Sequence, residues 1–410
     1  MDNHFPLVSS LGSEDRLVLD RLTSRGGAWI VGGWIRDILS QGNGGELDIA
    51  TDLLPHEVVS LFPDSLTHGS RYGTVVVRLP HSDSSWDVTT LRTETNYKDG
   101  RRPENVVFGT DIQEDLSRRD FTVNSMAVSY PSGELLDPYN GARDLSNKIL
   151  KTVGLAEERF SEDGLRIIRA YRFLALSDDW ILDPGAELAI QNCIGMLSRI
   201  SPERIGSEFR KILELPSHRA SLLKMQDHGV LEKIVPGARV AEDFSSSGQF
   251  AVDLSLMFHQ GNGSRDDAIL SFENGLAPTK QEVKTLTLLL GLAPCDLLNS
   301  NEEIRRFQVS LNTTDREMVL VYLQKLGFNR RGAVSEVDFP KAGSAPLLDG
   351  HMLSEITGVG PGQRLGKLKS YLHRLQVEKD LANTEEVLLE LDAIDWSGED
   401  HLCWPELAWP

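Results

Sequence analysis

The sequence predicts an α+β fold, in which a small α/β head at the N-terminus precedes an all-helical remainder. Two observations predict it. Residues 1–150 alternate short apolar strands with short helices. After about residue 151 the strand patterns fade, and helical periodicity interrupted by Gly, Pro and Asn replaces them. With 410 residues, the chain is long enough for two to four domains.

The composition is that of a soluble globular protein, with 40% hydrophobic and 25% charged residues. No apolar run approaches the length of a membrane span, and the first residues show neither a signal-peptide nor a transit-peptide pattern. Cys193, Cys295 and Cys403 are far apart and fit neither a zinc site nor a disulfide framework, so we expect a reducing, cytoplasmic location. The net charge of −19 argues against indiscriminate nucleic-acid binding, but it leaves room for a localised basic surface.

The first candidate site element is a glycine pair between a strand and a helix. Residues 28–31 are apolar and predict a strand, and residues 34–40 predict a helix. Gly32 and Gly33 lie between them, where a phosphate can approach backbone N–H groups and the positive end of the helix dipole. This arrangement predicts a phosphate-binding turn, although a glycine pair before a helix is a weak signal by itself.

The second element is a pair of carboxylates. Residues 46–51 predict a short strand, and Glu46 and Asp48 would then project from the same face. Two adjacent carboxylates are costly unless a cation compensates them, and hard oxygen ligands suit Mg²⁺. The alternative is an acidic pair exposed to solvent at a strand edge.

Residues 73–79 and 85–91 predict a β-hairpin. Asp87 lies on its second strand with Thr89 on the same face, where Asp87 is either a third carboxylate that serves as base or bridge, or a solvent-facing aspartate. The two interpretations have equal weight. The polar segment 92–117 is then either a mobile functional connection, in which Arg101 and Arg102 guide an anion, or a flexible surface loop.

The segment 118–124 combines charges that suit a nucleotide. Arg119 and its neighbour Arg118 can bind a triphosphate, and Asp120 and Asn124 can accept or donate to sugar hydroxyls. The alternative is a surface cluster of salt bridges.

The helical part begins with a segment in which Ser161 is a possible N-cap. The predicted helices cover residues 161–176, 186–196, 201–214, 217–227, 251–260, 280–291, 301–309, 314–325, 363–378 and 384–392.

In the first of these helices, Asp163 and Arg166 are three residues apart and are predicted to share a face. Cytosine and adenine both present an amino donor beside a ring-nitrogen acceptor, and uracil and guanine present the reverse pattern. A carboxylate beside a guanidinium therefore selects C and A without a template. The alternative is an ordinary ion pair on a helix surface.

Taken in order, these segments resemble the class II tRNA nucleotidyltransferases, which are the CCA-adding enzymes of the polymerase-beta-like superfamily, with poly(A) polymerase among their relatives. The motifs that carry the resemblance are GGWIRD (32–37), ELDIAT (46–51), GTVVV (73–77), DVTTLR (87–92), DGRRP (99–103), RRDFTVN (118–124), DPYNG (137–141) and EDGLRIIRAYRF (162–173). The segment 201–213 and, more weakly, residues 360–386 are also similar to the family.

The resemblance implies a polymerase-beta-like head at 1–150, a neck with base recognition at 151–215, a body at 216–330 and a tRNA-binding tail at 331–410. It also implies CTP and ATP as substrates, the tRNA acceptor arm and 3′ end as partner, Mg²⁺ as cofactor, and no membrane or obligatory protein partner. Carried over to this sequence, the metal ligands are Glu46 and Asp48, with Asp87 as the further catalytic carboxylate. The implied nucleotide-binding residues are Gly32, Gly33, Arg36, Arg119, Asp120, Asn124, Glu162, Asp163, Arg166 and Arg169.

One departure from the family is Glu46, where the family usually has Asp, and we expect activity to survive it. Alternatives within the family are A-only addition, CC-only addition and poly(A) polymerase. The length of segment 92–117 weighs against CC-only addition, and the acidic chain weighs against poly(A) polymerase. A non-catalytic tRNA-binding protein is the alternative from another class, but binding alone requires neither the carboxylates nor the glycine pair.

Overall fold

The computed structural model describes residues 6–41, 44–67, 73–97, 103–398 and 400–410. The chain forms two compact units. The first unit extends to Pro236 and includes residues 242–244 and 274–277, and the second unit contains residues 237–241, 245–273 and 278–410. The division into head, neck, body and tail stays a prediction.

The sheet of the first unit is built from short strands whose apolar residues alternate or run continuously. Its strands are β1 (Ala28–Val31), β2 (Asp48–Thr51), β3 (Thr74–Arg78), β4 (Ser85–Thr90), β7 (Ala127–Tyr130) and β8 (Leu135–Leu136). They are arranged in the order β3-β4-β2-β1-β7-β8, and β2 and β4 are parallel whereas the other neighbours are antiparallel. This mixed sheet confirms the predicted α+β fold and the predicted hairpin.

A separate antiparallel ribbon follows β4. It consists of β5 (Arg92–Tyr97) and β6 (Pro103–Phe108), and α4 (Ile112–Ser117) comes after it. The interpretation of 92–117 as a flexible surface loop is therefore wrong, and a functional role for this segment stays a prediction. Strand-forming residues such as Val106 and Val107 pair across the ribbon with residues of β5, and this pairing gives the connection regular structure. Arg101 and Arg102 lie outside the described residues.

Helices surround the sheet and form the rest of the first unit. Around the sheet lie α1 (Ser13–Thr23), α2 (Gly33–Gln41), α3 (Pro55–Leu61) and α5 (Gly141–Ser146). The remainder contains α6 (Ala156–Glu162), α7 (Leu165–Leu174), α8 (Pro184–Cys193), α9 (Pro202–Glu214), α10 (His218–Asp227) and α11 (Val230–Ile234), together with the two-residue strands β9 (Ile149–Leu150) and β10 (Ile181–Leu182).

The predicted helix over 161–176 is wrong at its start. Ser161 lies inside α6, and Asp163 has extended backbone angles (φ −145°, ψ 105°) between α6 and α7. Gly164 lies so close to Met196 that an added Cβ would be 2.9 Å from the Met196 Cβ. Tertiary packing therefore interrupts a periodicity that, in the sequence alone, continues through both helices.

The second unit is helical. It contains α12 (Phe250–His259), α13 (Arg265–Leu276, whose last residues belong to the first unit), α14 (Lys280–Leu289), α15 (Asn301–Ser310), α16 (Thr313–Lys325), α17 (Arg331–Glu336), α18 (Gly350–Thr357), α19 (Gln363–Glu378) and α20 (Thr384–Asp392). A buried cluster that includes Leu353, Leu368 and Val387 holds α18, α19 and α20 together. Among the described residues, no helix is both long and apolar enough to cross a membrane.

Candidate active site

A single cavity of about 840 Å³ in the first unit collects nearly all of the predicted site residues. The predicted residues that line it are Gly32, Gly33, Arg36, Glu46, Asp48, Asp87, Arg119, Asp120, Asn124, Asp163, Arg166 and Arg169. Glu162 is absent from this lining, but it contacts Arg166. Residues that are up to 137 positions apart in sequence (32 to 169) therefore meet in one place.

The acidic side of the cavity lies where β2 and β4 run in parallel. Asp48 is directly opposite Asp87 in the strand register, so the two carboxylates project from the same face of the sheet. Glu46 lies just before β2 and not within it, so the prediction that Glu46 and Asp48 share one strand is wrong. Glu46 nevertheless lines the same cavity, since the chain entering β2 passes along its wall.

The proximity of these carboxylates affects the pKa of Asp48. Partial burial is the main cause that raises its pKa; Arg119 opposes the shift, Asp87 and Glu46 add to it, and Arg36 also opposes it. Placing negative charge here is therefore costly without a cation. In the described part of the chain, no group of three or more His, Cys, Asp or Glu side chains forms a ready-made metal cage. Mg²⁺ is commonly held by one or two carboxylates together with substrate phosphates, and Asp48 with its acidic neighbours fits that donor set.

The glycine turn adjoins the carboxylates. Gly32 has a φ of +75°, and a Cβ on it would lie 2.9 Å from Oδ2 of Asp48 and 3.6 Å from Nη1 of Arg119. A side chain at this position would be strained and would displace Asp48. The backbone thus approaches the acidic residues closely, and α2 begins at the next residue with its N-terminus at the cavity.

Arg36, one turn into α2, is fixed in three ways. Its Nη1 donates to Oδ1 of Asn124 over 3.1 Å, its Nε donates to Oδ1 of Asp37 over 2.8 Å, and its guanidinium lies 5.3 Å from the centre of the Phe173 ring. An arginine held in this way is preorganised for a phosphate.

Asp115 on α4 holds the two consecutive arginines. It lies 2.6 Å from Arg118 and 3.2 Å from Arg119. Burial by itself raises the pKa of Asp115, but the charges and hydrogen bonds of these arginines hold the pKa below its ordinary value. Nη1 of Arg119 also donates to the Asn124 carbonyl, and among the described residues its buried Nε finds no hydrogen-bond partner.

Asp120 is 8% exposed and is held from several directions. Its Oδ2 lies 2.6 Å from Nη2 of Arg169, and its Oδ1 accepts from the Phe121 N–H and from the Asn124 amide. Burial raises its pKa, but Arg169 and these hydrogen bonds outweigh burial and lower the pKa to about 2. Asp120 therefore fixes the positions of Arg169 and Asn124 at the cavity.

The predicted pair of Asp163 and Arg166 lines the cavity, but not as one helical face, because Asp163 precedes α7. Oδ2 of Asp163 lies 2.7 Å from Nη2 of Arg204 on α9, and its Oδ1 accepts from the Leu165 N–H that opens α7. Arg166 lies 2.6 Å from Glu162 and donates to the Arg118 carbonyl. Each member of the pair is thus held by its own partner: Glu162, which also pairs with Arg159, holds Arg166 but does not hold Asp163.

Arg118, which the sequence paired with Arg119 for a triphosphate, also lines the cavity. Sequence reasoning missed several other lining residues, namely Thr74, Arg92, Arg172, Arg204 and Lys211, for which it assigned no role in the cavity. Arg204 and Lys211 lie in the basic segment 201–213, and the similarity of this segment to the family was the signal that could have identified them. Among the residues that the structure describes, nine basic and five acidic side chains line the cavity. In a chain of net charge −19, this local excess of positive charge suits an anionic ligand such as a triphosphate.

Two family models match segments that lie almost entirely in the first unit. Residues 28–151 match the poly A polymerase head domain, and residues 181–241 match the probable RNA and SrmB-binding site of polymerase A. The first match covers the sheet and the acidic side of the cavity, and the second covers α8 to α11 with Arg204.

Two curated relatives are CCA-adding enzymes. The one from Geobacillus sp. (strain WCH70) is 44% identical over 203 residues, which are 50% of this chain and 49% of that protein, so this alignment spans about half of each. The one from Lactobacillus gasseri is 31% identical over 390 residues, which cover 91% of this chain and 95% of that protein.

Among solved structures, the crystal structure of the Bacillus stearothermophilus CCA-adding enzyme in complex with CTP is similar to this chain, with a TM-score of 0.72, 25% identity, and coverage of 92% of this chain and 96% of that one. The similarity expected from the sequence motifs is thereby confirmed in both sequence and fold. Since the L. gasseri enzyme matches over almost the full length of both proteins, this chain belongs to the family of CCA-adding enzymes.

Proposed function

We propose that this cavity adds C, C and A to the 3′ end of tRNA, without a template, using CTP and ATP and releasing pyrophosphate. The observation that carries the proposal is that one cavity contains paired carboxylates at Asp48 and Asp87 and, elsewhere on its wall, a fixed acceptor and donor at Asp163 and Arg166. Membership of the CCA-adding enzymes supports the same reaction.

The chain's own residues have distinct tasks in this proposal. Arg36 and Arg119 bind the triphosphate, which also meets the N–H groups at the start of α2. Asp120 holds Arg169 and Asn124 beside the sugar. Asp87 accepts the proton of the tRNA 3′-hydroxyl as that oxygen attacks the α-phosphorus and pyrophosphate leaves.

Glu46 and Asp48 would hold two Mg²⁺ ions together with the phosphates of the nucleotide, and the two ions would stabilise the attacking and leaving oxygens. The longer side chain of Glu46 suits a residue that lies before β2 and has to extend to the position of a ligand from outside the strand. The raised pKa of Asp48 supports this assignment, because a divalent cation removes the electrostatic penalty that causes part of the shift.

Base selection rests on two separately fixed groups. Asp163 accepts from the amino group of cytosine or adenine, and Arg166 donates to the ring nitrogen beside it. Arg204 and Glu162 each hold one of these side chains, so both keep their places when the base changes. UTP and GTP present a carbonyl to Asp163, and that repulsion excludes them.

We propose a cytoplasmic location as well. Cys193, Cys295 and Cys403 are all free thiols, which agrees with a reducing compartment.

The test supplies the protein with tRNA lacking its 3′ CCA, with Mg²⁺ and CTP alone, ATP alone, or both, and resolves products at single-nucleotide length. Addition of two C and then one A, only when both nucleotides are present, is the expected result. Asp48→Asn should abolish it, and Asp83→Asn, a change in the exposed hairpin turn outside the cavity, should not.

Other products would assign a different reaction to the cavity. A product that stops at CC indicates CC-only addition, and activity only on tRNA already ending in CC indicates A-only addition. Long adenylate tails indicate a poly(A) polymerase. No extension of any RNA would refute the assignment of catalysis to this cavity.

A further inference from the structure

A pair of threonine hydroxyls lies beside the carboxylates without a role in the chemistry described so far. Thr74 on β3 and Thr89 on β4 are directly opposite each other in the register, and their Oγ1 atoms are 3.0 Å apart. Both side chains are half-buried and line the cavity. Thr89 is two residues from Asp87 on the same strand, so the two side chains project from the same face.

The hydrogen-bonding capacity of this pair is incomplete. Among the residues that the structure describes, the two hydroxyls bond only to each other. Each hydroxyl has one donor and two acceptor sites, so their mutual bond leaves one O–H donor and three lone pairs for a ligand. The charged neighbours are more restricted, because the ionised Asp87 only accepts and Arg92 only donates.

A ribose hydroxyl, which donates and accepts at once, fits this pair. The RNA strand ends in a ribose that carries its 2′- and 3′-hydroxyls on adjacent carbons. If Asp87 accepts the proton of the 3′-hydroxyl, the 2′-hydroxyl lies close by, within the roughly 7 Å that separates residues i and i+2 on a strand. Thr89 lies at this spacing from Asp87 on β4, and Thr74 is its partner on β3.

We propose that Thr89, positioned by Thr74, binds the 2′-hydroxyl of the RNA's terminal nucleotide and thereby selects an RNA end over a DNA end. This inference rests on the proposed function, specifically on the role of Asp87. The hydroxyl pair therefore recognises the sugar at the end of the acceptor strand. It does not recognise the incoming nucleotide, whose sugar and base are assigned to other walls of the cavity.

The experiment compares two tRNAs lacking CCA that are identical except for the sugar of the last nucleotide, which is ribose in one and 2′-deoxyribose in the other. The readout is kcat/KM for the first CTP addition. The wild-type protein is expected to prefer the ribose end by about 3- to 10-fold, as for one hydrogen bond between neutral groups. Thr89→Val should lower kcat/KM on the ribose end by the same factor and leave the deoxyribose end within about twofold.

Three further variants define the effect. Thr89→Ser retains the hydroxyl and should retain the preference. Thr74→Val should weaken the preference by a smaller factor, since it only releases Thr89. Thr23→Val, at the end of α1 and outside the cavity, is the matched control and should change neither RNA.

Cross-strand threonine pairs also stabilise sheets, and a purely structural role predicts that Thr89→Val slows both RNAs equally. That result would overturn the proposal, and so would a Thr89→Val protein whose preference for the ribose end is unchanged. The proposal would also fail if Thr89→Val changed the ratio of CTP to dCTP use and not the preference between the two RNA ends. A wild-type protein that extends no RNA would instead refute the proposed function. Even then, the Kd ratio of the two RNAs, measured by fluorescence anisotropy, decides the hydroxyl proposal: a preference that Thr89→Val removes supports it, and equal Kd values overturn it.

Discussion

The ion pair between Asp120 and Arg169 gives a quantitative test of how the cavity is held together. Replacing Asp120 by Asn keeps the shape of the side chain and removes its charge. The pKa of Asp120 is lowered from 3.8 to about 2 in the folded protein. That difference corresponds to about 2.5 kcal/mol of folding free energy at neutral pH, since each pKa unit is worth about 1.4 kcal/mol.

The sign and pH range follow from the same shift. Because the folded pKa is lowered, the stabilisation is fully present above the unfolded pKa of 3.8 and is lost as the pH falls through about 2. Asp120→Asn should therefore cost about 2.5 kcal/mol at pH 7, about half of that at pH 3, and little below pH 2.

Hydrogen exchange of the α7 amides, measured by mass spectrometry at matched pH, reports this free energy without requiring the two units to unfold together. Asp179→Asn, at an exposed site, is the control and should change the free energy by less than about 0.5 kcal/mol. A difference between Asp120→Asn and the wild-type protein that stays constant from pH 7 to pH 2.5 would refute the reasoning.

Two further predictions concern the cavity. Asp48→Asn should abolish turnover and yet raise the Tm at neutral pH, because partial burial and the charges of Asp87 and Glu46 penalise its ionised form. The gain should decrease as the pH falls through the raised pKa and should vanish below the ordinary value of 3.8. Thermal unfolding between pH 3 and 8 checks this, and a lower Tm at pH 7 would contradict it. Arg204→Met releases Asp163 and should raise UTP and GTP incorporation about 5- to 10-fold relative to CTP and ATP, in single-nucleotide extension assays. The exposed Arg199→Met is its control, and unchanged selectivity after Arg204→Met would remove the role of Arg204.

Local sequence patterns correctly predicted those strands and turns whose structure depends on residues close together in the chain. Strand β1 and the β3–β4 hairpin have alternating or continuous apolar residues bounded by turn residues, and both form where the pattern places them. The register that brings Asp48 opposite Asp87 is a property of strand pairing, and the sequence indicated only that each carboxylate lies on a predicted strand.

The features that sequence reasoning missed depend on distant parts of the chain. The helix is interrupted at Asp163, and the close approach of the next residue, Gly164, to Met196 is not shown by any local pattern. The ion pair of Asp163 with Arg204 joins residues 41 positions apart, so the spacing of Asp163 and Arg166 suggested a simpler pair than the structure contains. The β5–β6 ribbon was missed because charged residues and glycine between its strands are typical of a loop.

Helix α7 has one further consequence. Three arginines on its cavity side are each held by a carboxylate from a different segment, as Arg166 is by Glu162, Arg169 by Asp120 and Arg172 by Glu208. On the same helix, Ile167, Ile168 and Tyr171 are fully buried in the core. A substitution in that core that shifts the helix would move all three guanidinium groups together. With the residue roles proposed above, substitutions at buried apolar positions that do not touch the nucleotide would change nucleotide preference, and specificity would diverge between relatives by this route.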